Sequence, residues 1–386
     1  RFRHGASDPL PADVVLVDEA SMVPLAMMTK LVEAVAPGAR LILLGDRDQL
    51  ASVEAGAVLG DICRAAGDGP GCRPEMADDL EAALGALPAA WRLQNAPPLA
   101  DAIVQLVQTY RFGEDSGIGR LARAVNRGDV AAARSVLLAG GVRAADGSQD
   151  VTWVRLEAPP EGPTGRQRAA RTADEPTLQK LLKPAARQLV RAARSGHIAE
   201  ALAAQSALGV LCAHRQGPFG VAEVNQTVEA WLRKDGLIPR AGTPGATGYP
   251  GRPVLITRND ATLGLFNGDL GVLVQTQTVD GRPQVRAAFP GDTEDAPRLF
   301  APSRLPEHET VFAMTVHKSQ GSQLTHAVVL LPPRPSRVLT RELVYTGLTR
   351  AQRQVTLVAS DEVLTAAIEA QVQRASGLQA LLAAPD

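Results

Sequence analysis

Aromatic residues are scarce in this chain, at 3% of the sequence. Any ring-stacking surface must therefore rest on a few named positions. Cysteine is scarcer still: Cys63, Cys72 and Cys212 form no CxxC pair and match no metal-ligand spacing. That argues against a disulfide framework or a zinc site and reads as reduced thiols in a cytoplasmic protein. No apolar run reaches the roughly 18–20 residues that span a membrane, and the N-terminus has no signal-peptide pattern. Net charge is missing as well, with 40 basic against 41 acidic residues and a formal charge of -1. A small protein that holds DNA by a global basic field is excluded, whereas an enzyme that grips DNA along one local groove is not. What is present is 386 residues, 45% of them apolar, enough for two or three separate cores. The first residue is Arg1, which reads as a processed chain or a piece of a longer one.

Several segments have a legible period. Val14 to Val17 is a short continuous apolar run, the pattern of a strand buried on both faces. Pro24 opens a helical stretch, PLAMMTKLVEAV, and Pro37-Gly38 ends it. Leu41 to Leu44 is a second buried strand leading into Gly45-Asp46-Arg47-Asp48-Gln49. This β–α–β order predicts parallel strands with a right-handed crossover, so both strand ends face one crevice. Helical patterns recur at 75–86 and 118–127, and at 177–206 with Pro184 as a kink or break. LGVLCA at 208–213 reads as another buried strand. From 240 to 308 short strands alternate with Asn267-Gly268 and Asp280-Gly281, which are hairpin signals; this predicts a small antiparallel barrel inserted in an α/β domain. The α/β pattern returns with VFAMTV at 311–316, HAVVLL at 326–331, a helix through Leu343 to Arg350, and VTLVAS at 355–360.

Two adjacent carboxylates at a strand end, Asp18 and Glu19, suit nucleotide hydrolysis: one holds Mg²⁺ opposite phosphates and the other polarises the attacking water. The alternative is a solvated acidic pair opening a loop. Gln49, one crossover away on the same edge, can sense a γ-phosphate or its water, or merely cap its loop. Tyr110-Arg111-Phe112 is a rare aromatic cluster that can stack on a base and reach a phosphate, or place a buried Tyr beside a surface Arg. Thr315-Val316-His317-Lys318-Ser319-Gln320-Gly321 follows a strand with the small, polar and cationic groups that grip a phosphodiester backbone; it also reads as an ordinary polar loop. Arg350, four residues after Thr346, could deliver a guanidinium to a γ-phosphate, or simply compensate a helix dipole.

The blocks VVLVDEASM, LLGDRDQLASVEAGAVLGDI, TYRFGEDSGIGRLARAVNRGD, LCAHRQGPFGVAEVN, LGLFNGDLG, SRLPEHETVFAMTVHKSQGS and RELVYTGLTRA occur in an order that resembles superfamily 1 DNA helicases. In detail they resemble the RecD family, the alpha subunits of RecBCD-type exodeoxyribonuclease V. The resemblance covers nearly the whole chain and is weakest at 65–100 and 140–205. It implies an α/β fold of RecA-like P-loop NTPase helicase domains, parallel sheets flanked by helices, with an inserted small SH3-like β-barrel. The implied division is 1–106 as part of a first motor domain, 107–239 and 309–386 as the second, and 240–308 as the barrel.

The resemblance also implies roles. Asp18 would bind Mg²⁺, Glu19 would activate water, and Gln49 would couple the γ-phosphate to DNA. Tyr110 would stack on the adenine of ATP, while Arg111 and Arg350 would contact its γ-phosphate. Thr315, His317 and Lys318 would lie near single-stranded DNA or at its coupling to ATP. Gln323 stands where the family has Glu, at the position of a ribose contact. The implied activity is ATP-dependent 5′-to-3′ translocation on single-stranded DNA in double-strand-break repair, in the cytoplasm, with RecB-like and RecC-like partner subunits. The phosphate-cradling pattern GxxxxGK[ST] does not occur in this sequence; family members carry it upstream of the DExx motif. The expectation is the C-terminal part of a helicase subunit, inactive by itself. Two rivals share much of the pattern: a non-catalytic docking scaffold, and an RNA helicase of the same superfamily.

Overall fold

In the computed structural model the apolar run at 14–17 forms strand β1 (Val14–Val17) and the run after Gly38 forms β2 (Arg40–Leu43). The description covers all residues except 1, 52–55, 68–70, 107–112, 114, 143–148, 158–171, 173–174, 292–295, 373–376 and 384–386. Helix α1 (Leu25–Ala34) follows Pro24, whose missing N–H costs nothing at a helix start. The two strands pair in parallel, Val14 against Arg40 through Val17 against Leu43. One expectation is corrected here: the strands are not buried on both faces. Every second side chain is turned outward, and Val14, Leu16, Ile42 and Leu44 are exposed. A short apolar run has no period by which to tell half-burial from full burial. Helix α2 (Val58–Ala65) packs on the short 3₁₀ turn after β1, and α3 (Pro74–Leu84) stops at Gly85.

The second part of the chain begins with α4 (Gly117–Arg127) and α5 (Val130–Ala139), capped by Ser116 and Asp129, whose side chains accept from Gly119 N and Ala132 N. Strand β3 (Val151–Arg155) follows, then α6 (Pro176–Arg194) and α7 (Ile198–Ala207). Helix α6 continues through Pro184, so the expected break there does not occur. A proline removes one helix bond, but Leu178, Leu182, Ala186, Leu189 and Val190 form one buried stripe that holds the helix on both sides of it. The chain turns instead at Gly196, whose φ of 75° suits a helix end. Strand β4 (Leu208–Cys212) and helix α8 (Val221–Lys234) come next.

Between α8 and the next parallel strand lie β5 (Pro253–Ile256), β6 (Leu270–Gln277), β7 (Pro283–Phe289), β8 (Arg298–Phe300) and β9 (His308–Thr310). They form one antiparallel sheet in the order β8-β7-β6-β5-β9. Its two faces are both buried. Val272, Val274 and Ala288 pack on α6 and α7, while Val254, Ile256, Leu273, Ala287 and Phe289 make a small core of their own. Strand pairing gives an antiparallel insertion; the expected closure into a barrel goes beyond it.

Strands β10 (Ala313–Thr315), β11 (Leu324–Leu330) and β12 (Ala351–Ala359), with helix α9 (Arg341–Leu348) before β12, complete a five-stranded parallel sheet in the order β10-β4-β11-β12-β3. Its core joins Val210, Val328, Leu330 and Val358 to α6 and α8 side chains such as Leu182, Val224, Val228 and Leu232. After α10 (Asp361–Glu369), helix α11 (Leu378–Ala383) packs on α2. The chain therefore divides into one compact unit of Arg1–Tyr110 with Val372–Asp386 and another of Arg111–Gln371. The last residues of the expected 309–386 segment thus belong with the first unit.

Candidate functional site

In the first unit the chemistry collects at the C-terminal edge of β1 and β2. Asp18 follows β1 directly and is exposed, and its Oδ1 accepts from the Glu19 N–H at 2.8 Å. Glu19 sits in the left-handed region, φ 50° and ψ 40°. For a residue with a Cβ that conformation costs about 1–2 kcal/mol, and such outliers gather where a site dictates the backbone. The turn continues into Ala20, whose N–H donates to Leu44 O at 2.8 Å, so the acidic pair and the GDRDQ loop share one edge. Gly45 lies at their junction. A Cβ there would stand 2.7 Å from Leu59 Cδ2 and 3.1 Å from Ser21 N, so α2 presses the loop against the acidic turn.

Within that loop Asp46 organises its neighbours. Its Oδ1 accepts from Asp48 N at 2.9 Å and its Oδ2 from Gln49 Nε2 at 3.2 Å. The Gln49 amide is thereby fixed with its donor engaged, and among the described residues its buried Oε1 has no hydrogen-bond partner; the same holds for Ser21 Oγ, close in sequence to Glu19. Buried polar atoms of this kind are uncommon and call for an occupant. Neither Asp46 nor Ser21 was singled out by sequence; the signal available was only their membership of the DEAS and GDRDQ stretches. Tyr110 and Arg111 lie outside the described residues.

In the second unit the remaining candidates gather at and behind the ends of β4 and β10, which lie side by side with Thr315 opposite Cys212. Thr315 is buried, and its Oγ1 accepts from Lys318 N at 3.3 Å. His317 and Lys318 form a 3₁₀ turn with Ser319, whose Oγ donates to Val316 O at 2.8 Å. Lys318 Nζ donates to Glu309 Oε1 at 2.5 Å, and Arg215 stands 3.5 Å from the other oxygen of the same carboxylate. His214 places Nε2 3.0 Å from Ser336 Oγ, and partial burial pushes its pKa below the ordinary histidine value. Arg215 and Glu309 are additions to the sequence-derived set.

Arg350 follows α9 and is only 1% exposed. Its Nε donates to Thr346 O at 3.3 Å and its Nη1 to Ser322 O at 3.4 Å, so the guanidinium is folded back beneath the loop that carries Lys318. Gln323, at the end of that loop, is exposed and accepts from Gln352 Nε2 at 2.7 Å. The structure thus assembles Asp18, Glu19 and Gln49 on one edge of the first unit. It collects Thr315, His317, Lys318, Gln323 and Arg350 around one loop of the second.

A domain described as AAA domain matches residues 4–71, and the UvrD-like helicase C-terminal domain matches residues 310–358. The RecBCD enzyme subunit RecD of Mycolicibacterium smegmatis is 41% identical over 379 residues, 98% of this chain and 56% of that protein. The chain belongs to the RecD family. It spans about half the length of the curated RecD relatives it matches. The ATP-dependent RecD2 DNA helicase of Deinococcus radiodurans is 27% identical over 353 residues, 91% of this chain and 37% of that protein. Among solved structures, a Pif1 helicase from Bacteroides in complex with ADP-AlF3 and ssDNA aligns with a TM-score of 0.39 and 14% identity, over 90% of this chain and 70% of that one. Among the described residues of this RecD-family chain no helix is long and apolar enough to cross a membrane.

Proposed function

We propose that this chain is part of an ATP-driven 5′-to-3′ translocase on single-stranded DNA. It would serve in the cytoplasm with RecB-like and RecC-like subunits in double-strand-break repair. The observation that carries the reading is the edge of the first unit. There a strained Glu19, an exposed Asp18 and a clamped Gln49, whose buried oxygen has no partner among the described residues, share one edge. A solvated acidic pair has no use for a left-handed glutamate or for an amide held by a neighbouring carboxylate. The similarity to the ATP-dependent RecD2 DNA helicase of Deinococcus radiodurans supports the same assignment.

The residues fit a nucleotide with Mg²⁺. Among the described residues no group of three His, Cys, Asp or Glu converges on a metal-sized point, so Asp18 would supply a single carboxylate. That suits Mg²⁺, which takes one or two carboxylates and completes its shell with phosphate oxygens and water. ATP, when bound, supplies the phosphoryl group whose transfer to water drives movement. Glu19 would polarise that water and take its proton. Gln49, held by Asp46, would report the γ-phosphate, and the Ser21 hydroxyl would complete the polar lining. Arg350 and Arg111 would contact the γ-phosphate, Tyr110 the adenine and Gln323 the ribose. Thr315, His317 and Lys318 would hold the DNA backbone, and the antiparallel insertion is read as the SH3-like module.

Direction of travel is the finer part of the claim, and end-blocked strands test it. The full-length protein with ATP should displace streptavidin from a 3′-biotinylated oligonucleotide and leave a 5′-biotinylated one intact. Displacement from the 5′ end alone would overturn the assigned polarity.

A further inference from the structure

Glu309 is the one carboxylate in contact with the candidate DNA loop among the described ion pairs, and it comes from a different sheet. Strand β9 of the antiparallel insertion carries it, and only Val311 and Phe312 separate β9 from β10. One oxygen takes Lys318 Nζ at 2.5 Å and the other lies 3.5 Å from Arg215 Nη2. The two cations stand on adjacent strand ends, Lys318 just past β10 and Arg215 just past β4. Two cations bridged by one anion with two oxygens is the arrangement a phosphodiester makes with Lys and Arg. Their exposure differs in a useful way. The Arg215 side chain is 69% exposed, while Lys318 and Glu309 are 29% and 32% exposed. The site is therefore open on the arginine side, where a strand could enter.

We infer that Arg215 and Lys318 form a clamp for one phosphate of the single strand, and that Glu309 occupies the clamp as a built-in competitor until nucleic acid displaces it. This rests on the nucleic-acid reading above and adds two things to it: Arg215 as a further backbone contact, and a carboxylate that sets how tightly the strand is held. The competitor offsets one of two positive charges. Removing it frees one net charge for a phosphate contact, which steepens the dependence of log K on log salt by about 0.7 for a single strand. Exposed ion pairs are individually weak, so the gain in affinity is modest, about three- to tenfold at low salt.

The sequence provides its own control. Glu307, two residues earlier, pairs with Arg258 at 3.5 Å with both side chains about 70% exposed. Glu307→Gln removes the same charge without touching the clamp. The experiment is fluorescence anisotropy of labelled oligo-dT with the full-length protein across a salt series, comparing wild type, Glu309→Gln, Glu307→Gln, Arg215→Ala and Glu309→Gln in an Arg215→Ala, Lys318→Ala background. Glu309→Gln should tighten binding and steepen the salt slope, Glu307→Gln should stay within about twofold, and the gain should vanish in the clamp-less background. Arg215→Ala, at an exposed position that folding does not need, should weaken binding and flatten the slope by about 0.7. A Glu309→Gln that matches Glu307→Gln or binds more weakly overturns the competitor, and an Arg215→Ala that binds like wild type overturns the clamp. Should wild type and every variant fail to bind at low salt, the nucleic-acid reading itself falls, a result distinct from either.

Discussion

Gly251 is the position where a single methyl group should do most harm to the second unit. Its φ is +90°, a region that costs a residue with a Cβ about 1–2 kcal/mol. An added Cβ would stand 2.5 Å from Val190 Cα and 2.7 Å from Val190 Cγ2. The first of these is backbone of α6, so a rotamer change cannot relieve it, and overpacking of this kind costs about 1–3 kcal/mol more. The Gly251 N–H also donates to Leu273 O at 2.6 Å, tying the start of the antiparallel insertion to β6. Weakening that bond adds about 1 kcal/mol. Gly251→Ala should therefore destabilise the protein by about 3–6 kcal/mol. At about 2–4 °C per kcal/mol for a domain of this size, the melting temperature should fall by about 6–24 °C. Gly242 separates the two contributions, having a φ of +78° and nothing within 4 Å of an added Cβ. Gly242→Ala should cost only the conformational part, about 1–2 kcal/mol. Urea titrations followed by tryptophan fluorescence suit the purpose, because Trp231 is buried in the core cluster that contains Val190. A Gly251→Ala protein no less stable than Gly242→Ala would refute the close packing of the insertion on α6.

Two further outcomes follow from named contacts. Arg350→Ala should lower DNA-stimulated ATP turnover of the full-length protein by about 10³-fold or more, with Arg350→Lys failing to restore it because an ammonium lacks the planar fork; turnover within tenfold of wild type in a folded Arg350→Ala protein would remove it from the reaction. Asp235 accepts from Arg187 Nε at 2.7 Å and pairs with Lys183 at 3.0 Å, linking α8 to α6. The Arg187 hydrogen bond, aided by Lys183, holds its pKa down at about 2 from an ordinary 3.8. A lowered carboxylate pKa contributes stability that is complete above the unfolded value and disappears as pH falls through the folded one. The stability difference between wild type and Asp235→Asn should accordingly be flat above pH 3.8 and shrink between there and about 2; a difference independent of pH in acid denaturation curves would contradict the ion pair.

How much of this could be read from the sequence depends on whether the signal is local. The β1–α1–β2 unit is legible because Pro24 and Pro37-Gly38 bracket one apolar period between two apolar runs. The order of the antiparallel strands is less so, although the Asp280-Gly281 turn between β6 and β7 lies where its dipeptide puts it, with Gly281 at φ 75°. Helices α5, α8 and α10 carry apolar residues at helical spacing, Val224, Val228 and Trp231 in α8 among them, so their signal is present in the chain. Pro184 does not end its helix, since its local cost is outweighed by a buried stripe that only tertiary packing supplies. The packing of α11 on α2 brings the chain's last helix back to its first unit, and nothing in the spacing encodes that.

For the sites the division is similar. Asp18, Glu19 and Gln49 fall on one edge because a β–α–β crossover places them there, which a sequence can state. The left-handed backbone of Glu19 and the grip of Asp46 on Gln49 depend on torsion and reach, which it cannot. Arg350 stands at a helix end where arginine is ordinarily exposed, yet it is folded inward against Thr346 and Ser322. The Arg215–Glu309–Lys318 bridge needs three separate segments brought together by the pairing of β4 with β10. No window of sequence contains all three.

The most direct test of the central claim is single-stranded-DNA-stimulated ATP hydrolysis by the full-length protein beside its Glu19→Gln variant, with oligo-dT binding measured on the same samples. The account predicts hydrolysis that rises with added single strand in wild type. In Glu19→Gln it should be lost by about 10²-fold or more while oligo-dT is still bound. Hydrolysis in Glu19→Gln equal to that of wild type, or wild-type turnover indifferent to DNA, would contradict it.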